Sequence, residues 1–589
     1  MSDDATRQAA AWLSTFGASL EAKDSKAAAA LFVEDGFWRD FLAFTWNIIT
    51  LEGRTAIQAM LDNMLARVGP TGLAVEGTAT ETDGVIQCFF TFTTGVSRGK
   101  GILRLKGGQC WTVLTTMQEL IGFEEPLGHR RDEGILLGAH KNRSSWLDAK
   151  SRDEQELGST RQPYCLIVGA SQNGLALAAR LKHLDVPTIV IDRQESPGSA
   201  WRARYKSLCL HDPVWQDHMP YLPFPPGWPV YTPKDRMADW LDMYAQVLAL
   251  NVWNNTTCMG AQYDVQRQEW TVTVERDGRA TTLRPRHLVL ATGLSGRPQI
   301  PEITGAETFA GTQLHSSQYR GGEGMAGKRC VVIGSNNSAH DICADLWEHD
   351  ADVTMVQRSP TLVAKLMSLR KLADAGPFSE AALQRGVTTD DADLLAAATP
   401  YRLLRDVSKA NYKRIRDQDA EYYDRLKAAG FQLTFGEDDS GIALMYVRRA
   451  AGYYIDVGAS DLIASGAVHL KSGTDIASIA PGAVVFRDGS EVPADLIVYA
   501  TGFESMESWA AQLISPAVAD AVGKCWGLGS GMRGDPGPWE GELRNMWKPT
   551  AQEGLWFQAG NLAQARHFSR YLALQLKARM EGIPTPVYR

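Results

Sequence analysis

Long apolar runs are missing from this chain: no window of its 589 residues reaches the ~18 consecutive apolar positions a membrane span needs. Paired cysteines are missing too. The 8 cysteines are scattered, with no Cys-x-x-Cys. That speaks against a disulfide scaffold, a zinc site and a dithiol redox centre. No metal site is read, and a reducing cytoplasm is the expected setting. Excess positive charge is lacking as well. Sixty Lys and Arg against 68 Asp and Glu leave a formal net charge of −8, the wrong sign for a general nucleic-acid binder. The opening MSDDATRQ carries acids early and leads into no apolar stretch of signal-peptide type. What remains is globular composition, 44% apolar and 22% charged, in a chain long enough for two to four domains.

The pattern along the chain divides it. Residues 1–125 read as one small α+β domain. Trp12, Phe16 and Leu20 recur at helical spacing with Leu13 beside them, and a second short helix is expected over 27–32. Strand-like runs follow at 85–94, 101–106 and 110–120, with Gly107-Gly108 marking a hairpin. Trp38, Phe41 and Trp46 are read first as core, with a ligand cavity as the alternative. Residues 126–160 are charged, show no apolar period and read as a linker. Beyond them strands alternate with helices, which implies parallel sheets in an α/β fold.

Two stretches have the order strand, glycine turn, helix, strand. In the first, Tyr164–Val168 runs into Gly169-Ala170-Ser171-Gln172-Asn173-Gly174, then a helix, then Thr188–Ile191 ending at Asp192. The glycine turn lets a helix N-terminus offer free N–H groups to a pyrophosphate. Asp192, 23 residues after Gly169, is placed to accept from ribose hydroxyls. Ser171 stands where a middle glycine is usual. In the second, Lys328–Ile333 leads into Gly334-Ser335-Asn336-Asn337-Ser338-Ala339, and the next strand ends at Gln357-Arg358. Arg358 replaces the acid, and a guanidinium pairs with a 2′-phosphate that a carboxylate would repel. This site therefore favours NADPH. Asn336 here replaces the middle glycine. Two Rossmann-type dinucleotide domains suggest a bound flavin and a diffusing hydride donor.

Between them, Phe309, Gly311, His315 and Tyr319 fit Phe-x-Gly-x-x-x-His-x-x-x-(Phe/Tyr), the signature of flavin-containing monooxygenases. Gly198-Ser199-Ala200-Trp201-Arg202 resembles the family's Gly-Gly-x-Trp-Arg stretch near the flavin. Ala291-Thr292-Gly293 and Ala500-Thr501-Gly502 resemble its two Ala-Thr-Gly strand ends, and Asn337-Ser338-Ala339 its NADP-site stretch. The match covers roughly 160–589. With its N-terminal extension the chain looks like the bacterial type II subgroup, whose extension resembles the nuclear-transport-factor-2-like (NTF2/SnoaL-like) cone. Residues 210–225 also resemble the plant auxin-forming monooxygenases.

The resemblance implies an FAD domain over 161–325 and 485–589, and an NADP domain over 326–484 with a helical insertion. It implies FAD, NADPH (with looser selectivity against NADH), O2 and a small organic substrate. It further implies a C4a-(hydro)peroxyflavin that inserts one oxygen atom, with Baeyer–Villiger oxidation of ketones foremost. N- or S-oxygenation of soft nucleophiles and a flavin-binding protein without turnover are the alternatives. The asparagine that many animal-type members carry falls near Asp212 or Pro213 here, so Asp212 and His218 stand as catalytic candidates. His218 is equally readable as packing. Asn561, with Gly560, Leu562, Arg566, His567 and Ser569, is expected to close over the flavin ahead of a helix carrying Leu572, Leu574 and Leu576. A homodimer is conceivable.

Overall fold

The computed structural model describes residues 2–374 and 376–589. The N-terminal unit is a six-stranded sheet backed by three helices, Ser2–Glu21, Ser25–Ala30 and Gly53–Val68. The first helix begins with Asp3 and Asp4 in its first turn, favourable against the helix dipole. It buries Trp12, Leu13, Phe16 and Leu20, the residues whose spacing announced it. Across the sheet the strands run in the order 48–52, 32–41, 109–120, 97–106, 85–93, 71–82. Strands 32–41 and 109–120 pair in parallel.

The expected helix over 27–32 is corrected. It spans Ser25–Ala30, with Asp24 accepting from the Ala27 N–H, and Phe32 already opens a strand. Aromatic Phe32 gains more by pairing beside Cys110 than by extending a four-alanine helix. Trp38 is core. It stacks on Phe32, meets Phe16 and Phe44 edge-on, and donates from its indole to Thr115 Oγ1 at 2.8 Å.

The segment 126–160 is also corrected, because it contains a helix, Trp146–Glu156. Ser145 and Asp148 close a reciprocal capping box at its start. That box is a local signal visible in the sequence, whereas the apolar period sought there does not exist because this helix buries no residue.

Two five-stranded sheets follow, each wholly parallel. The first has the order 555–557, 287–290, 165–168, 188–191, 252–253. The second has the order 312–315, 496–499, 329–333, 352–357, 469–472. Short continuous apolar strands such as Cys165–Val168 are what a sheet covered on both faces requires. A three-stranded antiparallel sheet accompanies each, at 256–283 and at 476–493. Strands 312–315 and 496–499, assigned by the sequence to the first nucleotide domain, hydrogen-bond into the second sheet instead. Parallel strands need crossovers rather than adjacency in sequence, so periodicity alone did not place them.

The N-terminal unit is docked rather than tethered. Arg39 makes a buried bidentate pair with Glu542 (2.6 and 2.7 Å) and donates to the Ala397 carbonyl at 2.6 Å. Phe41 packs on Phe568 and Tyr571 of the C-terminal helix, Leu562–Met580. Asn47 donates to the Tyr588 carbonyl, and the Tyr588 N–H returns to Thr45 O.

Candidate functional site

The first glycine turn sits between strand Cys165–Val168 and helix Gln172–His183. Gly169 has φ +113, and a Cβ there would lie 2.5 Å from the Ala291 carbonyl oxygen. A Cβ on Gly174 would lie 1.8 Å from the Gly169 oxygen. Only glycine lets the helix start this close to the strand. Ser171 is the helix N-cap with φ −84, a conformation open to any residue, so the missing middle glycine imposes no strain. Its hydroxyl donates to Gln172 Oε1 and caps nothing, which leaves the first helical N–H groups free. Asp192 accepts from the Ala170 N–H at 2.7 Å and the Gln194 N–H at 2.9 Å, so its carboxylate faces the turn.

Several groups converge on this turn. Asn173 donates to the Gly560 carbonyl, and Gln558 donates to the Asn173 carbonyl. Asn173 Oδ1, Gln558 Oε1 and Thr292 Oγ1 are buried with no hydrogen-bond partner. Orphaned buried acceptors and hydroxyls beside free helix N–H groups fit a polar, anionic dinucleotide. Trp201 donates from its indole to Gln172 Oε1 at 3.1 Å. Arg202 points elsewhere, paired with Asp239 and Asp242 at 2.6 Å each.

Asn561 caps the C-terminal helix in a capping box with Gln564. The expected order there is corrected: the helix begins at Leu562, so Arg566, His567 and Ser569 lie within its first turns rather than before it. Tyr446, from helix Gly441–Arg449, donates its hydroxyl to Gln564 Oε1 (2.7 Å) and accepts from the Asn561 N–H (3.0 Å). Asn561 Nδ2 in turn reaches Asp212 Oδ2 at 3.4 Å. Asp212, Asn561, Tyr446 and the first glycine turn thus form one connected cluster. Tyr446 lies in a stretch without any motif, and no sequence signal marks it.

Arg566 clamps the loop carrying the two catalytic candidates. It pairs bidentately with Asp393 (2.8 and 2.6 Å) and donates to the carbonyls of Gln216 and His218. His218 accepts at Nδ1 from the Phe224 N–H, and burial with Arg566 nearby pushes its pKa down to about 4. Its ring is therefore a neutral acceptor above pH ~5. Replacing it by asparagine, which offers an acceptor near the same place, is expected to leave the pH profile of flavin reduction between pH 6 and 9 unchanged. Loss of a limb in that profile would make His218 a proton carrier. Asp217, absent from the sequence reading, is fully buried with neither carboxyl oxygen hydrogen-bonded. Burial, reinforced by Asp212, drives its pKa well above the carboxylate range.

The second turn repeats the first. Gly334 has φ +135, and a Cβ there would lie 2.3 Å from the Ala500 oxygen. Asn336 is the N-cap of helix Asn337–Glu348, at φ −97 with no side-chain cap bond. The Gly334 N–H donates to Val356 O, which brings the strand end and exposed Arg358 to the turn's side. Asn337 Oδ1 accepts from the Ile455 N–H, so its amide fastens strand Tyr453–Asp456. Ser338 lies at the same helix start, near Tyr205.

The family-signature residues bond within the second sheet's unit and at its edge, and the neighbouring Tyr205 crosses to it from the first. His315 donates from Nε2 to the Gly502 carbonyl at 2.9 Å while its Nδ1 accepts from the Ser317 N–H. Tyr319 donates to Asp345 at 2.5 Å, and Tyr205 to Asp341 at 2.6 Å, both acids on the second nucleotide helix. Gly311 is required because a Cβ would meet Asp495 O and the Phe309 ring. Thr501 donates to the Gln299 carbonyl at the crossover.

Two parallel sheets, each with a glycine turn leading into a helix, are the α/β class this fold and site define. The pyridine nucleotide-disulphide oxidoreductase family matches residues 166–435. All eight cysteines are free. Indole-3-pyruvate monooxygenase YUCCA1 of Oryza sativa subsp. japonica is 30% identical over 364 residues, 61% of this chain and 81% of that protein. Probable indole-3-pyruvate monooxygenase YUCCA7 of Arabidopsis thaliana is 30% identical over 361 residues, 58% and 75%. Among solved structures, a flavin-containing monooxygenase from Stenotrophomonas maltophilia shares 19% identity at a TM-score of 0.46, covering 71% of this chain and 99% of that one. Cyclohexanone monooxygenase from Rhodococcus sp. Phi1 shares 18% at 0.45, covering 60% and 73%. The chain belongs to the flavin-containing monooxygenase family and is a flavin-dependent monooxygenase that uses FAD and NADPH. Among the described residues, no helix is long and apolar enough to cross a membrane.

Proposed function

We propose that the Gly169 turn holds FAD, the Gly334 turn holds NADPH, and the enzyme inserts one oxygen atom into the carbonyl compound it binds, in a Baeyer–Villiger reaction. The observation that carries this reading is the pair of glycine turns, each pressed against the neighbouring strand too closely for a Cβ, with Tyr205–Asp341 linking the two units. The balance is NADPH, H+, O2 and substrate to NADP+, water and oxygenated substrate. When bound, the reduced flavin supplies the O2-activating chemistry. The chain supplies the rest. Asp192 holds ribose hydroxyls, and the free N–H groups of helices 172–183 and 337–348 hold pyrophosphates. Asp212, steered by Asn561 at the start of the C-terminal helix, is the candidate to hold or move a proton there. Arg566 and Tyr446 hold the loop and the helix start of that cluster in place.

We further assign the second nucleotide domain to residues 304–500, moving both boundaries of the sequence reading to suit the sheet pairing. The N-terminal unit is read as NTF2-like, supported by its six-stranded sheet and three helices. The free, mostly buried thiols suit a reducing cytoplasm.

Two measurements test the reading. With 18O2, a ketone should gain a single labelled atom as an ester or lactone. Turnover confined to thioethers or amines would move the assignment to heteroatom oxygenation. Separately, Arg358→Glu should raise KM for NADPH about 10- to 100-fold, the equivalent of the ~1.5–3 kcal/mol of a charge-assisted bond. KM for NADH should barely move. An equal effect on both cofactors would remove Arg358 from the 2′-phosphate.

A further inference from the structure

Residues 126–149 are exposed without interruption, 24 in a row. Within them Ile135, Leu136, Leu137, Trp146 and Leu147 are 58–78% exposed. Singly scattered apolar residues are normal on a surface, but a contiguous set marks something that covers it. The arm does little for its own fold. Arg130 ties its root to Glu119 and the Glu125 carbonyl, Asp153 ties its end to Arg161, and between these its side-chain bonds stay inside the arm, as in Arg131 to Gly128 O and His140 with Leu137 O.

The charge of the arm is divided. Its first half carries Arg130, Arg131, Lys141 and Arg143 against Asp132 and Glu133. The helix Trp146–Glu156 carries Asp148, Asp153, Glu154 and Glu156 against Lys150 and Arg152. A two-fold axis sets the basic half of one arm against the acidic helix of another, and repeats that contact on the other side. Twenty-four residues also fall in the ~20–30 per side that a standard interface uses. A lipid surface suits the basic half but repels the helix with its four carboxylates.

We propose that the arm at 126–156 is an isologous contact between two copies of this chain. Ile135, Leu136, Leu137, Trp146 and Leu147 form its apolar centre, and the basic half of each arm lies on the acidic helix of the other.

Sedimentation of the full-length, FAD-loaded enzyme at micromolar concentration tests this. The expected species has twice the 64.6 kDa of one chain. Leu137→Ser with Trp146→Ser should weaken association at least tenfold, with flavin content and melting temperature unchanged because both side chains are exposed. Arg131→Glu with Lys141→Glu, and Glu154→Lys with Glu156→Lys, should each give monomers. Mixing the two should restore dimers, which a purely local role for these residues would not do. A monomeric wild type overturns the proposal, as does a dimer indifferent to all these changes. So does a monomer that instead sediments with anionic phosphatidylserine vesicles.

Discussion

Arg39→Ala is expected to unseat the N-terminal unit and release flavin a few degrees below the wild-type melting temperature. The guanidinium and the Glu542 carboxylate are each under 5% exposed and meet at 2.6 Å. Thr50 also donates to Glu542, and the guanidinium lies over the Phe41 and Tyr401 rings at 4.9 and 4.8 Å. Removing one partner leaves a buried charge without compensation, which costs about 3–5 kcal/mol. In a chain of this size that corresponds to roughly 3 °C. The pair joins sequence positions some five hundred residues apart, so its loss separates the two parts rather than loosening one helix. Arg39→Met combined with Glu542→Leu should recover most of the loss, because an apolar pair of similar volume removes the desolvation penalty as well. By the same reasoning, a chain starting near residue 126 should yield little soluble flavoprotein, since it bares Phe568 and Tyr571 on the C-terminal helix. Thermal release of flavin fluorescence reads both. An unchanged melting curve for Arg39→Ala would show that the unit is a loosely held appendage.

The second large effect separates the two nucleotide turns. Gly174→Ala places a methyl group where the Gly169 carbonyl already is, and that neighbour is backbone, which cannot rotate away. The helix must retreat from its strand, and its free N–H groups lose their aim at the pyrophosphate. The expected product is folded but nearly colourless, with flavin affinity reduced at least 100-fold. Gly334→Ala brings the same kind of collision against Ala500 O in the other sheet. That variant should stay yellow, yet its flavin should be reduced by NADPH at least 100-fold more slowly. Dithionite reduction, which needs no second nucleotide, should be normal. The opposite pattern, with Gly334→Ala colourless and Gly174→Ala yellow, would exchange the two assignments.

Local physics explains which features were visible beforehand. Glycine turns, helix starts and short apolar strands depend on residues within a few positions of one another. They can therefore be read at 165–192 and at 329–358 without knowing the rest. The helix at 146–156 buries nothing and so leaves no apolar period in the sequence. Strands 312–315 and 496–499 were put with the wrong sheet because a parallel strand carries no mark of its neighbour. Tyr446, Asp217, Arg39 and Glu542 gave no signal at all. A tyrosine or an acid becomes a site residue only through what the fold brings against it.

By itself the sequence determined two strand–glycine–helix turns, the cationic end of the second one, the family signature between them and an additional α+β unit in front, because each rests on short-range stereochemistry. Only the tertiary structure decided that Tyr446 and Asp212 meet at the start of the C-terminal helix, that Tyr205 reaches from one nucleotide unit to the helix of the other, and that Arg39 anchors the first domain to the last segment. Those outcomes depend on long-range closure of the chain, where burial gives a charge or a hydroxyl one partner and denies it water.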